Sequence, residues 1–342
     1  MGHPGLPPRA RAGVGVNELD ALAETVREIV EKEPDPWPVL CEVGVAALAI
    51  PERYGGADAG LPELQAVAAE LGLAAVPFLG SSVLATSVLL ESGDEDACAR
   101  LLPPLAGGAI GSVAWTGPDG GWTADVACRT GGSTVDGHAH YVLDGDLADV
   151  LLVLAREDGG IGLYEVDTAN AHRVHTPGMD ETRRLAEIRF TGAPASRIGA
   201  GDFSPALARA RDTACAVLAA EQAGAAAKAL AMTVDYTKHR HQFGRPIGSF
   251  QALKHRMADL HVLVETARSA ANAAGESELL AHVAKAYCAE AFSAVAAEMI
   301  QLHGGIAITW EHDAHRYFKR AHSSAALFGS PDEHLAWLTG HL

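Results

Sequence analysis

The sequence predicts an α+β protein with an N-terminal helical domain, a middle antiparallel β domain and a C-terminal four-helix bundle. Two changes of texture carry the division. Near Gly107 a helical pattern gives way to Gly, Thr, Val and Asp with short apolar runs, and near Asp202 the chain turns Ala-rich and stays so to the end. The domains expected are 17–106, 107–200 and 201–342, after a flexible leader over 1–16. Helices, then strands, then helices is not the alternation that builds a doubly wound sheet. No GxGxxG follows a strand, which argues against a nicotinamide-binding fold.

Within the first domain, Asn17 is a candidate N-cap for ELDALAETVREIVEKE, and Pro34 and Pro36 end that helix. A second helix pattern covers LPELQAVAAELGLA. Two more lie in 82–106, parted by the SGDED turn and closed by Pro103 and Pro104. Tyr54 with Gly55 and Gly56 reads as a turn. In the middle domain SVAWT, HYVLDG, DVLLVLA, IGLYEV and LAEIRF alternate apolar and polar residues, as half-buried strands do. The bundle begins with one long helix through TKHR. Ser249 and Ser277 are the expected N-caps of the next two helices, and Gly304 is an expected C-terminal stop. Helices this apolar on most faces bury them against each other or a second subunit.

Composition excludes several classes. The chain has 342 residues, 48% hydrophobic, with 26 basic against 43 acidic side chains and a net charge of −17. There is no concentrated basic stripe for nucleic acid. The cysteines Cys41, Cys98, Cys128, Cys215 and Cys288 show no zinc or redox spacing, so a reduced, cytoplasmic protein is expected. The first residues lack the apolar core of a signal peptide, and no apolar stretch is expected to span a bilayer. His312 and His315 read as surface polar residues, and no metal site is expected. Trp115 and Trp310 read as core or interface residues.

The segment RHQFGRPIGSFQ, 240–251, joins two long helices. Arg240 offers a planar fork of donors suited to phosphate oxygens. Phe243 offers a ring for stacking, Gly244 permits a tight turn, and Gln242 and Gln251 can donate and accept. By spacing alone an ordinary helix–helix turn with solvated charges is the favoured reading. With Phe250, the pattern R-x-Q-F-G-x-x-I-x-x-F-Q resembles the dinucleotide-contact loop of the acyl-CoA dehydrogenases. In that family the loop reaches the FAD bound by a neighbouring subunit. Three further segments resemble family motifs in order: IPERYGG at 50–56, SVAWTGPDGGWTAD at 112–125 and QLHGGIAITWEHDAHRYFKRA at 301–321. The resemblance implies that Gln301, Gly304 and Gly305 approach the pyrophosphate and adenosine half of FAD.

The departures from the family pattern are more informative. These enzymes remove the α-proton of an acyl-CoA with a carboxylate while hydride leaves for the flavin. Counting from Gln301, the usual base position is Phe328, before Gly329 and Ser330; counting back from Phe243, the alternative one is Ala214. Neither can take a proton, and loss of general-base catalysis typically costs ~10²–10⁴-fold. Asp212 lies two residues off register, roughly a 200° rotation on a helix. On the ring side, Leu143 and Asp144 stand where the family has Thr and Asn, and Gly117 interrupts the usual Thr-Glu-Pro between Thr116 and Pro118.

These features resemble the short, base-lacking subunit of the heteromeric actinobacterial acyl-CoA dehydrogenases of steroid side-chain degradation. That implies an α2β2 complex with a catalytic acyl-CoA dehydrogenase subunit, an acyl-CoA substrate at the level of the complex, and electron-transfer flavoprotein as acceptor. Two alternatives remain at this point: a self-sufficient homotetrameric dehydrogenase using Glu221 or Glu265 as base, and a flavin-free scaffold of the same fold.

Overall fold

The computed structural model describes residues 16–123 and 125–341; the leader expected over 1–16 lies, but for Val16, outside them. Helix α1 (Val16–Lys32) starts one residue before Asn17, so Asn17 is inside the helix and not its cap. Short α2 (Trp37–Glu42) and α3 (Leu61–Leu71) follow. A wide π-helical segment, Phe78–Ala85, is buried throughout and runs directly into α4 (Thr86–Glu91). Helix α5 (Glu95–Ala106) is capped by Asp94, whose Oδ1 accepts from Ala97 N at 2.9 Å. It carries Pro103 and Pro104 inside its last turns, so the prolines do not close it where the sequence suggested.

The β domain runs through β1 (Gly111–Ala114), β2 (Cys128–Thr130), β3 (Thr134–Leu143), β4 (Val150–Glu157), β5 (Gly160–Val166), β6 (His172–Thr176) and β7 (Leu185–Ile198). The sheet is mixed and not wholly antiparallel. β1 and β2 both pair parallel to β4, while β3–β7, β4–β5, β5–β7 and β6–β7 are antiparallel. Alternation reports which face a side chain takes and carries no information on strand direction. One face closes on its own core of Val135, Ala139, Val142, Val153, Tyr164 and Phe190; the other contributes Trp115, Leu143, Leu152 and Leu163 to the core shared with the helices.

The bundle consists of α6 (Ser204–His239), α7 (Gln251–Ala273), α8 (Glu278–His303) and α9 (Ala314–Ala326), with α10 (Pro331–His341) laid on α8. Ser277 caps α8 through its Oγ, 3.2 Å from Leu280 N, and Gly304 at φ 67° stops it. Ser249 caps nothing: its Oγ turns to Pro246 O at 2.7 Å, and Phe250 is the N-cap of α7. By length and composition alone Glu278–Ile308 could cross a membrane, contrary to the sequence expectation. In the fold it is α8, packed between α6, α7 and α9.

Two devices join the first domain to the bundle. The buried Gln65 of α3 donates from Nε2 to Ala271 O on α7 at 2.7 Å and to Ala216 O on α6 at 3.3 Å. Gly224 of α6 lies so close to α3 that a Cβ there would sit 2.1 Å from Ala69 O. Only glycine allows that backbone approach.

Candidate functional site

The eight residues expected to contact a dinucleotide lie at one end of the bundle. They sit where α6 ends, where α7 begins and where α8 ends, and the stack of Tyr236 on His303 (4.3 Å between centroids) joins the first and last of these. After Arg240 the chain forms a two-residue ladder, β8 (His241–Gln242) against β9 (Arg245–Pro246). Phe243 and Gly244 form its tip at φ 53° and 74°, both left-handed. That is the geometry of a tight hairpin turn matching strand twist.

Phenylalanine pays a steric cost at positive φ, and such strain persists where the surroundings impose it. Here it projects the ring outward, 91% exposed, with only the edge of Phe250 beside it at 6.1 Å. Arg245 lies over the Phe250 ring at 4.0 Å and props the hairpin. Arg240, Gln242, Gln251, Gln301, Gly304 and Gly305 are all exposed. A Cβ added at Gly304 or Gly305 would meet nothing within 4 Å, so the backbone there faces open space, although the Gly304 N–H is already given to Ile300 O as the cap of α8. Ile308 and Trp310 extend this surface, 74% and 73% exposed. Trp310 thus lies outside the core, with Lys319 over its ring, whereas Trp115 is 2% exposed and within it.

The presumptive base position is elsewhere. Phe328, φ 59° and 1% exposed, packs its ring edge-on against Trp122 at 5.0 Å, and Trp122 meets Trp115 at 5.3 Å. Trp115 Nε1 donates to Thr123 O at 2.7 Å and folds the 115–123 loop back onto this stack. Ala214 is fully buried in the same core. The turn carrying Phe328 is pinned from behind. Lys285 Nζ donates to Ala325 O and Gly329 O, both at 3.0 Å, and burial pushes its pKa down to about 8. His334 Nε2 bonds Phe328 O at 3.2 Å and its Nδ1 lies 2.9 Å from His282 Nδ1. From Lys285 to His303 is 18 residues of α8, roughly 27 Å at 1.5 Å per residue. The Phe328 turn and the hairpin thus lie near opposite ends of α8.

None of the carboxylates considered from sequence reaches the Phe328 turn. Glu221 is buried between Arg183 Nη2 and Arg320 Nε, the latter at 3.3 Å. Both guanidiniums meet the same oxygen, Oε1, so this carboxylate is held as a buried ion-pair partner. Glu265 is on the exposed side of α7, 3.4 Å from Arg268. Asp212 turns to Arg211 at 3.6 Å and His282 at 3.8 Å, and burial raises its pKa to about 6.

The ring side is packed as well. Leu143 is buried, and a Cβ on Gly80 of the π-helical segment would lie 2.9 Å from its Cβ. Asp144 is buried beside Arg183, and desolvation lifts its pKa to about 6. Thr116 spends its hydroxyl on His140 O at 2.6 Å. Leu143, Asp144 and Thr116, the positions the sequence assigned to the ring side, are thus all buried in the fold.

His312 and His315 do not converge on a metal geometry: His312 Nδ1 accepts from Ala314 N at 3.1 Å, and His315 packs on Trp310. Among the described residues one other group does, His138, His140 and Glu187, which the sequence reading missed. No linear spacing signals it, since Glu187 comes from a different strand.

Comparison with known proteins agrees with this architecture. Residues 16–109 match the model of the acyl-CoA dehydrogenase N-terminal domain and 210–338 that of its C-terminal domain. The acyl-CoA dehydrogenase IpdE2 of Mycolicibacterium smegmatis is 44% identical over 93% of this chain and 92% of its own length. That of Mycobacterium tuberculosis is 43% identical over 92% and 94%. The ChsE4–ChsE5 complex of Mycobacterium tuberculosis has a TM-score of 0.84 at 26% identity, covering 95% of this chain and 97% of that one. The Tcur3481–Tcur3483 steroid ACAD also scores 0.84, at 29% identity, covering 95% and 97%. Matched by the family at both ends and by full-length relatives between them, with the helix–sheet–bundle order its sequence implied, the chain belongs to the acyl-CoA dehydrogenase family of FAD-dependent oxidoreductases.

Proposed function

We propose that this chain is the subunit of a heteromeric acyl-CoA dehydrogenase that supplies the dinucleotide side of its partner's FAD site and no catalytic base. One observation carries the reading. The hairpin presents a strained, exposed Phe243 at one end of the bundle, while Phe328, at the base position, is sealed under Trp122 at the other.

Bound at the interface, FAD would accept the hydride released from the acyl β-carbon. This chain's residues would do the holding. Arg240 would set its guanidinium on the pyrophosphate, Phe243 and Phe250 would flank the adenosine half, and Gln242, Gln251 and Gln301 would orient it by hydrogen bonds. Gly304 and Gly305, with no side chains, would let the dinucleotide approach the backbone closely. The partner would provide the ring cradle and the α-proton acceptor, in an α2β2 assembly. Likeness to the Tcur3481–Tcur3483 steroid ACAD supports an acyl-CoA with a steroid-derived acyl group, with electron-transfer flavoprotein as the oxidant.

The test is flavin stoichiometry and turnover. Alone, the chain should hold far less than one FAD and turn over no acyl-CoA, across several chain lengths, with an artificial acceptor. Expressed with a glutamate-bearing acyl-CoA dehydrogenase encoded beside it, it should give one FAD per heterodimer. One tightly held FAD and robust turnover by the isolated chain would overturn the proposal in favour of a self-sufficient enzyme.

A further inference from the structure

Three ligating side chains converge on the outer face of the β domain. His138 and His140 are two residues apart on β3 and so share a face. Glu187 comes from the neighbouring strand β7. Between them the register slips: Ala139 pairs with Ile188 but Val142 with Ala186, so His140 and Tyr141 together oppose Glu187. A bulge of this kind re-aims a side chain, and Tyr141 absorbs it at φ 55°. His138 Nε2 then lies 3.3 Å from Glu187 Oε2, and His140 Nδ1 lies 3.4 Å from Oε1. The ligand atoms of all three fall within 4.8 Å of one another.

These separations are long for N–H···O bonds, which centre near 2.9–3.0 Å. The two contacts run to different carboxylate oxygens, so the two rings and the carboxylate surround a gap that one ion could fill, with one or both oxygens as ligands. The strand is fixed in place, because His140 N donates to Thr116 O at 2.9 Å and His140 O accepts from the Thr116 hydroxyl. Arg189, directly across from His138, opposes a cation and weakens the site without blocking it.

We propose that His138, His140 and Glu187 bind a divalent transition-metal ion, Zn²⁺ foremost, with water in the fourth position. Two imidazoles and a carboxylate suit zinc chemistry. The ion would clip β3 to β7 across the bulge, beside Tyr141 and Leu143.

The experiment is Zn²⁺ binding by the untagged full chain, by competition with a chromogenic chelator, with Co²⁺ absorption as a second readout. We expect one equivalent of Zn²⁺, a four-coordinate Co²⁺ spectrum and a raised Tm with metal. Glu187→Gln and His140→Ala should each weaken binding by ~100-fold or more, since even outer-shell changes cost 10–100-fold. His312→Gln should leave it unchanged. Glu187→Gln preserves shape, so its metal-free Tm separates lost ligation from lost folding. Binding of no equivalent, or of one that survives both Glu187→Gln and His140→Ala, overturns the proposal.

Discussion

The ring of Phe328 meets that of Trp122 edge to face, with centroids 5.0 Å apart and planes at 73°. By the count from Gln301, this contact falls at the position that the sequence resemblance assigns to the proton acceptor. Phe328→Ala should cost about 3–5 kcal/mol of stability, as truncation of a buried aromatic does, read by denaturant unfolding. Phe328→Glu should give the isolated chain no dehydrogenase activity, because a carboxylate there faces indole rings and no substrate. Turnover by that variant alone would count against the subunit assignment.

Arg240 is exposed at the end of α6, with no partner for its guanidinium among the described residues. If it meets a pyrophosphate across the interface, each charge-assisted bond contributes on the order of 1.5–3 kcal/mol. Arg240→Ala should then weaken FAD retention by the heteromer by roughly one to two decades. Arg240→Lys should restore part of it, lacking the two-pronged fork. Flavin fluorescence on dilution measures this. Retention equal to wild type would identify Arg240 as a solvated helix-end residue.

Glu221 neutralises Arg183 and Arg320 inside the protein, where all three are nearly inaccessible. Glu221→Gln leaves two buried guanidiniums short of a counter-charge. Breaking a buried pair in this way costs about 3–5 kcal/mol. We expect a large fall in Tm. A variant that folds normally and loses only complex activity would instead mark Glu221 as a catalytic group.

The docking of α10 should depend on acid. Burial, chiefly, depresses His282 to about 4 and His334 to about 3 from 6.5. The unfolded chain takes up these protons near pH 6.5 and the folded chain does not. Their contribution is therefore complete above that pH and lost as pH falls toward 4. Asp144 and Asp212, raised to about 6, act in the opposite sense between pH 4 and 6. The stability gap between wild type and His334→Gln isolates one histidine. It should be flat above pH 7 and narrow below 6.5, by at most about 1.4 kcal/mol per pH unit. A gap independent of pH would show that His334 takes up its proton equally in both states, its pKa unshifted by folding.

Local signals were legible in the sequence, and long-range ones were not. Ser277 and Gly304 announce the ends of α8 because a cap is decided by its own neighbours. Ser249 misleads because its hydroxyl found Pro246 O first, leaving Phe250 to start α7. The hairpin with Phe243 at its tip follows from Gln-Phe-Gly chemistry. Strand directions, the Arg183–Glu221–Arg320 set and the His138–His140–Glu187 cluster each depend on segments far apart in the chain. Nothing in a short window encodes them.

The contact of Gly224 with Ala69 sets how this molecule can deform. Packed helices shear when a layer of side chains between them can re-rotate as they slide. Here that layer is missing, since backbone meets backbone and a single methyl would overlap Ala69 O. The joint between α3 and α6 therefore behaves as a weld, with Gln65 riveting α7 to the same place. Rearrangement at this joint is therefore confined to side chains around the weld, while α3, α6 and α7 move as one body.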